Sequence, residues 1–307
     1  MTPTTAADRT TATATSRRLT GLATAALLAA LACGSAGAPA ARDPVAVGPP
    51  TAVALAAVQG AAAGALSRTA AVSMTLAGGG LFGATASRVD GTGAYDFAAQ
   101  RGALSFTPAG FRTGEPIVFT PTAVYVRPPP GASPLPAGKT WTVADFTDPE
   151  ALTSNFPKLI PQAESVNPAV TLGQLLWGGA AAAAAGHETI GGQDAVRYAV
   201  TVDLDHAVDA VTGPGRIPFA RALATEAAAA GTPAVVTVTV WVAAGGRLAR
   251  VRETPPGTGV GTVTTSLTGF GGAVRADPPP AAQVVDILQL GPSGERENQN
   301  GGASDGG

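Results

Sequence analysis

Between Thr69 and Phe270 the hydrophobic and polar positions alternate mostly with a period of two. Val196, Tyr198, Val200, Val202 and Leu204 alternate with Arg197, Ala199, Thr201 and Asp203, the pattern of a half-buried strand. Shorter stretches repeat the rhythm at Ala71–Ala77, Gly93–Ala98, Ala103–Thr107, Pro116–Phe119, Ala123–Arg127 and Lys139–Val143, each stopped by Gly, Pro or Asp nearby. Val235–Val242 and Arg247–Glu253 flank Ala243-Ala244-Gly245-Gly246 and predict a hairpin. Val260–Phe270 predicts a last strand. So many short strands in succession predict an antiparallel meander.

The rhythm is broken by helical stretches. Thr51–Ser67 spaces its apolar residues like a weakly amphipathic helix, with Leu55, Val58, Ala62 and Leu66 along one side. Pro149–Phe156 and Ala169–Trp177 read as helices, the second with a stripe of Val170, Leu172, Leu175 and Leu176. Ala180–Ala185 follows, small residues expected to leave volume beside the helices. Pro218–Ala230 is a further helix with Phe219, Leu223 and Ala227 in line. A one-sided antiparallel sheet must bury one face, and these helices are available to cover it. Loose cover would leave an apolar cavity, which is where function is expected.

Ahead of this body, Arg17-Arg18 precedes a 14-residue apolar run, Leu19–Ala32, that ends on Cys33. A basic start, a short apolar stretch and small residues describe a secretory signal peptide, too short to span a hydrocarbon core comfortably. Ending on the sole thiol of the chain resembles a bacterial lipobox. Leu31, Ala32 and Gly34 suit that pattern, while Ala30 stands where a branched aliphatic is preferred. Residues 1–32 are then a lipoprotein signal peptide, Cys33 is acylated, and 33–50 form a flexible tether rich in Ala, Pro and Gly. The 17 residues from Gly34 to Pro50 reach at most roughly 60 Å when extended. Ordinary cleavage near Ala36 or Ala38 is the alternative; the export route stays open, since Arg17-Arg18 with Ser16 also fits a twin-arginine signal while Thr20 and Gly21 do not. Residues 51–290 form the folded domain, and 291–307, made of Gly, Asn, Ser, Glu and Asp, read as a disordered tail.

Charge and chemistry narrow the function. Removing residues 1–32 leaves 16 basic and 20 acidic side chains, a formal charge of −4. No basic stripe is present, which argues against nucleic acid. An exported chain with one cysteine folds without disulfides and needs a real core, which its length allows. Gly78, Gly80 and Gly83 spell G-x-G-x-x-G between two strand-like stretches, without the strand–helix context of a dinucleotide site. Ala84 stands where a phosphate loop needs lysine. The only histidines are His187 and His206. His187 and Glu188 are adjacent on a strand and point to opposite faces, and His206 sits beside Asp205 and Asp209 near a solvated strand end. Neither predicts a metal site, and no G-x-S-x-G or H-E-x-x-H motif is present. The expectation is a protein with no cofactor, no metal and no enzymatic activity. Trp141, Trp177 and Trp241 read as core or as pocket wall.

Four segments carry a resemblance. They are the lipobox at Cys33; Val124-Tyr125-Val126-Arg127 with a proline-rich loop and Gly138-Lys139-Thr140-Trp141; Ile190-Gly191-Gly192-Gln193-Asp194-Ala195 leading into Tyr198–Leu204; and Val240-Trp241-Val242 with Gly246-Arg247-Leu248 and the closing Pro278–Asp286. In that order they resemble the actinobacterial lipoproteins of the LppX/LprG type, whose fold is similar to the LolA/LolB carriers. The resemblance implies an α+β fold, a curved antiparallel half-barrel with helices across its concave face. It also implies a cavity for the acyl chains of a lipid or glycolipid. Acyl chains need apolar walls, each buried CH₂ contributing about 0.8 kcal/mol. The expected lining is Leu172, Leu175, Leu176, Trp177, Phe219 and Leu223 from the helices, with Tyr198 and Val200 on the sheet. The expected partners are the membrane, through the lipid anchor, and an acylated lipid. A second reading is a sensor or anti-sigma-type lipoprotein with a packed core that recognises a protein in the envelope.

Overall fold

The computed structural model describes residues 47–81, 84–85, 87–110, 114–128, 135–148, 159–211 and 217–290. Cys33, the signal segment, the expected helix Pro149–Phe156 and the tail 291–307 lie outside them.

Helix α1 (Ala52–Leu66) comes first, its N-terminus capped by Thr51, whose Oγ1 accepts from the Ala54 amide at 3.1 Å. Strands β1 (Thr69–Ala77), the short ladder β2 (Gly80–Leu81) and β3 (Ala84–Thr85), β4 (Arg88–Asp96), β5 (Arg101–Pro108), β6 (Glu115–Phe119), β7 (Ala123–Val126) and β8 (Trp141–Asp145) follow. Helices α2 (Leu159–Ser165) and α3 (Pro168–Trp177) form the first insertion. Then come β9 (Gly179–Ile190), β10 (Gln193–Asp203), α4 (Leu204–Ala210), α5 (Ile217–Ala230), β11 (Val235–Ala243), β12 (Arg247–Glu253), β13 (Thr262–Thr268) and β14 (Val284–Asp286).

Apart from β2 and β3, the described strands join one 12-stranded open sheet in the order β14-β8-β7-β6-β5-β4-β1-β13-β12-β11-β10-β9. Two antiparallel meanders, β4 to β8 and β9 to β13, are joined through β1. That strand pairs with β4 on one side and with β13 on the other, from Ala71↔Thr268 to Ala77↔Thr262. At the end of this seam the backbones pass so closely that a Cβ on Gly79 or Gly261 would strike the other chain. One parallel pair, β14 on β8, closes the far edge and makes the sheet mixed. The fold is therefore α+β, a large curved sheet that does not close.

Alternation sets the buried face. Ala70, Val72, Met74 and Leu76 of β1 and Val263 and Leu267 of β13 point into the core while their neighbours do not. Val200 and Val202 of β10 and Val238 and Val240 of β11 continue the same core under the helices. Asn167 caps α3, and Asp203 caps α4 through the His206 amide at 2.9 Å. Near β4 the rings of Tyr95 and Phe97 lie 4.9 Å apart and extend the core toward Phe119.

Three local expectations change. Ala180–Ala185 is not slack beside the helices. It lies within β9, paired with β10, with Ala182, Ala183 and Ala185 buried. Residues before α1 run along its free edge, where the Gly48 and Thr51 amides donate to Ala184 and Ala182 at 2.9 and 3.0 Å. Leu204 leaves the strand and opens α4, because Asp203 turns the chain by capping it, and His206 is exposed on that helix. Trp241 faces away from the main core. It packs with Ala195 and Ala243 on the opposite face, its Nε1 donates to Glu188 at 2.9 Å, and the guanidinium groups of Arg250 and Arg252 lie 5.7 and 5.8 Å from its ring.

Candidate functional site

The residues expected to line a cavity are brought together. Leu172 and Leu175 of α3, Leu223 and Phe219 of α5 and Val200 of β10 are buried in one cluster, with Leu176, Trp177 and Tyr198 packed half-buried against it. Trp177 meets Phe219 edge-on, ring centroids 5.4 Å apart. Gly173 makes room for that indole, since a Cβ there would run into it. Beside this cluster a hollow of about 10 Å³ is bounded by Val170, Phe219 and Tyr95. Among the described residues, the buried members of this cluster pack against one another.

What sequence reasoning missed is that this interface is not purely apolar. Thr171 on α3 donates its hydroxyl to Glu253 Oε1 of β12, and Gln174, one turn along, donates Nε2 to Glu226 Oε2 of α5. Arg221 of α5 pairs with Glu164 of α2, and its guanidinium lies 4.7 Å above the Phe146 ring. Glu164, Gln174, Glu226 and Glu253 are all buried. Helices α1 and α3 and strands β1, β11 and β13 contain no titratable side chain, so nothing cationic from those elements offsets the two carboxylates. Burial pushes the Glu253 carboxyl up to about 7, and burial with the Glu253 charge holds Glu226 well above the usual carboxylate range. Burial also lowers Arg221 to about 10. A signal for this existed. Glu253 shares the parity of Val251, and Thr171 and Gln174 share a helix face at i, i+3.

A second feature lies at the surface. Beyond the C-terminal turn of α1, a groove of about 440 Å³ opens between that helix and the β11–β12 turn. Ala61, Ala65, Leu248 and Phe270 contribute its apolar walls, and Arg68 and Arg247 its charge. A shallower hollow of about 380 Å³ lies between α4 and α5 near Asp205 and Asp209. Among the described residues no group of three His, Cys, Asp or Glu is placed to hold a metal. No described helix is long and apolar enough to cross a membrane.

Fold and site thus define a class: one large open sheet whose apolar face is covered by α1 and by helices from two insertions. No family model and no curated protein matches the sequence. Solved structures do. LprF from Mycobacterium bovis is similar over 76% of this chain and 99% of its own, with 14% identity and a TM-score of 0.41. The Mycobacterium tuberculosis lipoprotein LppX is similar over 73% of this chain and 98% of its own, with 18% identity and a TM-score of 0.42. A LolA-superfamily protein from Nitrosomonas europaea is similar over 74% and 94%, with 13% identity and a TM-score of 0.25.

Proposed function

We propose that this is an extracytoplasmic lipoprotein, anchored through Cys33, that takes up the acyl chains of a lipid or glycolipid beneath its helical layer. The observation that carries the reading is the construction of that layer. An apolar sheet face is covered by α1 and by helices from two insertions, and the contacts of the inserted helices with one another and with β12 include buried carboxylates. Burying Glu226 and Glu253 costs free energy that an apolar contact of the same size would not. A layer held in this way is easier to lift than a continuous hydrophobic seam. Once α3 and α5 lift, Leu172, Leu175, Phe219 and Leu223 on one side and Tyr198 and Val200 on the other offer walls for a chain.

Native mass spectrometry on the protein purified from an actinobacterial host tests the reading. Co-purified acyl lipid, released when the helical layer is destabilised, is expected. Repeated isolation without lipid, with no change at Trp177 on adding lipid, would overturn it. A packed interior also favours the second reading, recognition of an envelope protein. A specific observation supports it as well: the outer side of α1, from Val53 at 80% exposure through Ala56 and Gly60 to Ala63, carries no charge. Pull-down of one stoichiometric partner from lipid-free protein would favour that reading.

A further inference from the structure

We propose that the groove at the C-terminal end of α1 binds one anionic phospholipid of the bilayer, its phosphate held between Arg68 and Arg247 and its acyl chain laid against Leu248 and Phe270. The inference rests on the reading that places the protein at a membrane, but not on uptake beneath the helices.

Size is the first argument. The groove holds about 440 Å³, within the usual range of small-molecule sites. Gly64 on its wall leaves open space where a side chain would stand. A free phosphate would leave most of that volume, and the Leu248 and Phe270 surfaces, unused.

Charge is the second. Arg68 and Arg247 are exposed, and neither has a carboxylate partner among the described residues, where the ion pairs belong to Arg88, Arg221 and Arg250. Arg247 is steered by one hydrogen bond from Nη2 to Gln193 Oε1 at 3.2 Å. Three carbonyls at and just past the end of α1 already accept hydrogen bonds. Ser67 Oγ donates to the Gly64 carbonyl at 3.0 Å, the Arg68 amide to Ala65 at 3.0 Å, and the Phe97 amide to Arg68 at 3.1 Å. The helix end therefore presents guanidinium donors, whose planar forks match phosphate oxygens. In a chain whose formal charge after residue 32 is −4, this pairing of cations is a local choice.

Position is the third. From Gly64 the surface continues along Ala63, Gly60, Ala56 and Val53 with no charge to desolvate. A lipid in the groove brings no α1 carboxylate toward the bilayer. The 13 residues from Gly34 to Ala46 extend to roughly 45 Å, twice the length of α1 at roughly 22 Å. An anchor at Cys33 leaves the groove within reach of the headgroups.

The test uses the full-length acylated protein in phosphatidylcholine vesicles containing a minor fraction of phosphatidylglycerol with a photoactivatable group in its acyl chain. Crosslinks are expected on peptides holding Ala61–Ala65, Leu248 or Phe270. They should fall about fivefold or more in Arg68→Gln/Arg247→Gln, a change that keeps both stems and removes only the phosphate forks. An unchanged thermal midpoint will show that this variant is folded, and Arg68→Gln alone gives a second reading. Equal labelling by photoactivatable phosphatidylcholine, equal labelling of the double variant, or loss of labelling when inorganic phosphate is added would each overturn the proposal. Labelling of α3 and α5 peptides reports the interior site separately, so either reading can fail while the other stands.

Discussion

Glu253 and Glu226 set the behaviour of this protein toward protons. Both carboxyls are raised by burial, Glu253 to about 7 and Glu226 further by the charge of its neighbour. The folded chain therefore holds these protons more tightly than the unfolded chain. The Glu253 contribution is fully present below the ordinary carboxylate range and is lost as pH rises through about 7; that of Glu226 is lost in the same direction. Thermal melts should accordingly show a higher midpoint near about pH 5 than near about pH 8. Glu253→Gln should flatten that slope and raise the midpoint at the alkaline end, since a neutral amide still accepts from Thr171. A slope that Glu253→Gln leaves unchanged would show that the titration lies elsewhere. Only part of this was legible in the sequence. The parity of Glu253 with Val251 marks it as inward-facing, but its partner Thr171 lies 82 residues away. Only the tertiary fold, which brings α3 within hydrogen-bond reach of the β12 carboxyl, joins the two.

At the scale of elements, alternation and helical spacing located most strands and helices, because each of those segments has one face in water and one in the core. Ala180–Ala185 was opaque for the opposite reason. Six alanines have no polar partner to mark a period, and alanine favours helix when nothing else decides. Tertiary context decides here: β10 needs a neighbour, and small residues let the Gly48–Thr51 segment and α1 approach the same strand. The cavity-lining expectation was half legible. The named residues come together in one buried cluster, but how they pack depends on volumes that spacing does not report. The packing makes a prediction. Leu175→Ala, in the buried stripe of α3, should lower unfolding free energy by about 2–5 kcal/mol. Val53→Ala, on the exposed side of α1, should stay within about 0.5 kcal/mol. Urea titration of both variants checks the contrast, and comparable losses would mean that the outer face of α1 is not free.

For the whole molecule, the proposed lipoprotein reading places the compartment on one thiol. Cys33→Ser should leave the chain unacylated, and detergent-phase partitioning should show it shift to the aqueous fraction. Retention in the membrane would mean that Leu19–Ala32 stays as an anchor. The unity of the sheet rests on the β1–β13 seam. Gly261→Val, which forces a Cβ into the β1 backbone at a φ of 74°, should separate the two meanders in stability. Hydrogen exchange would then show β9 to β13 opening independently of β4 to β8, and uniform exchange would contradict this. The same seam has a consequence in time. Ala71 and Thr268 are neighbours in space but are made nearly 200 residues apart. Each meander can zip up locally, while the seam must wait for the far end of the chain, the slow, non-local kind of closure. Throughout synthesis, β1 therefore carries a bare edge able to recruit the wrong strand. The first strand of the sheet to be made waits for nearly the whole domain before its second edge is paired.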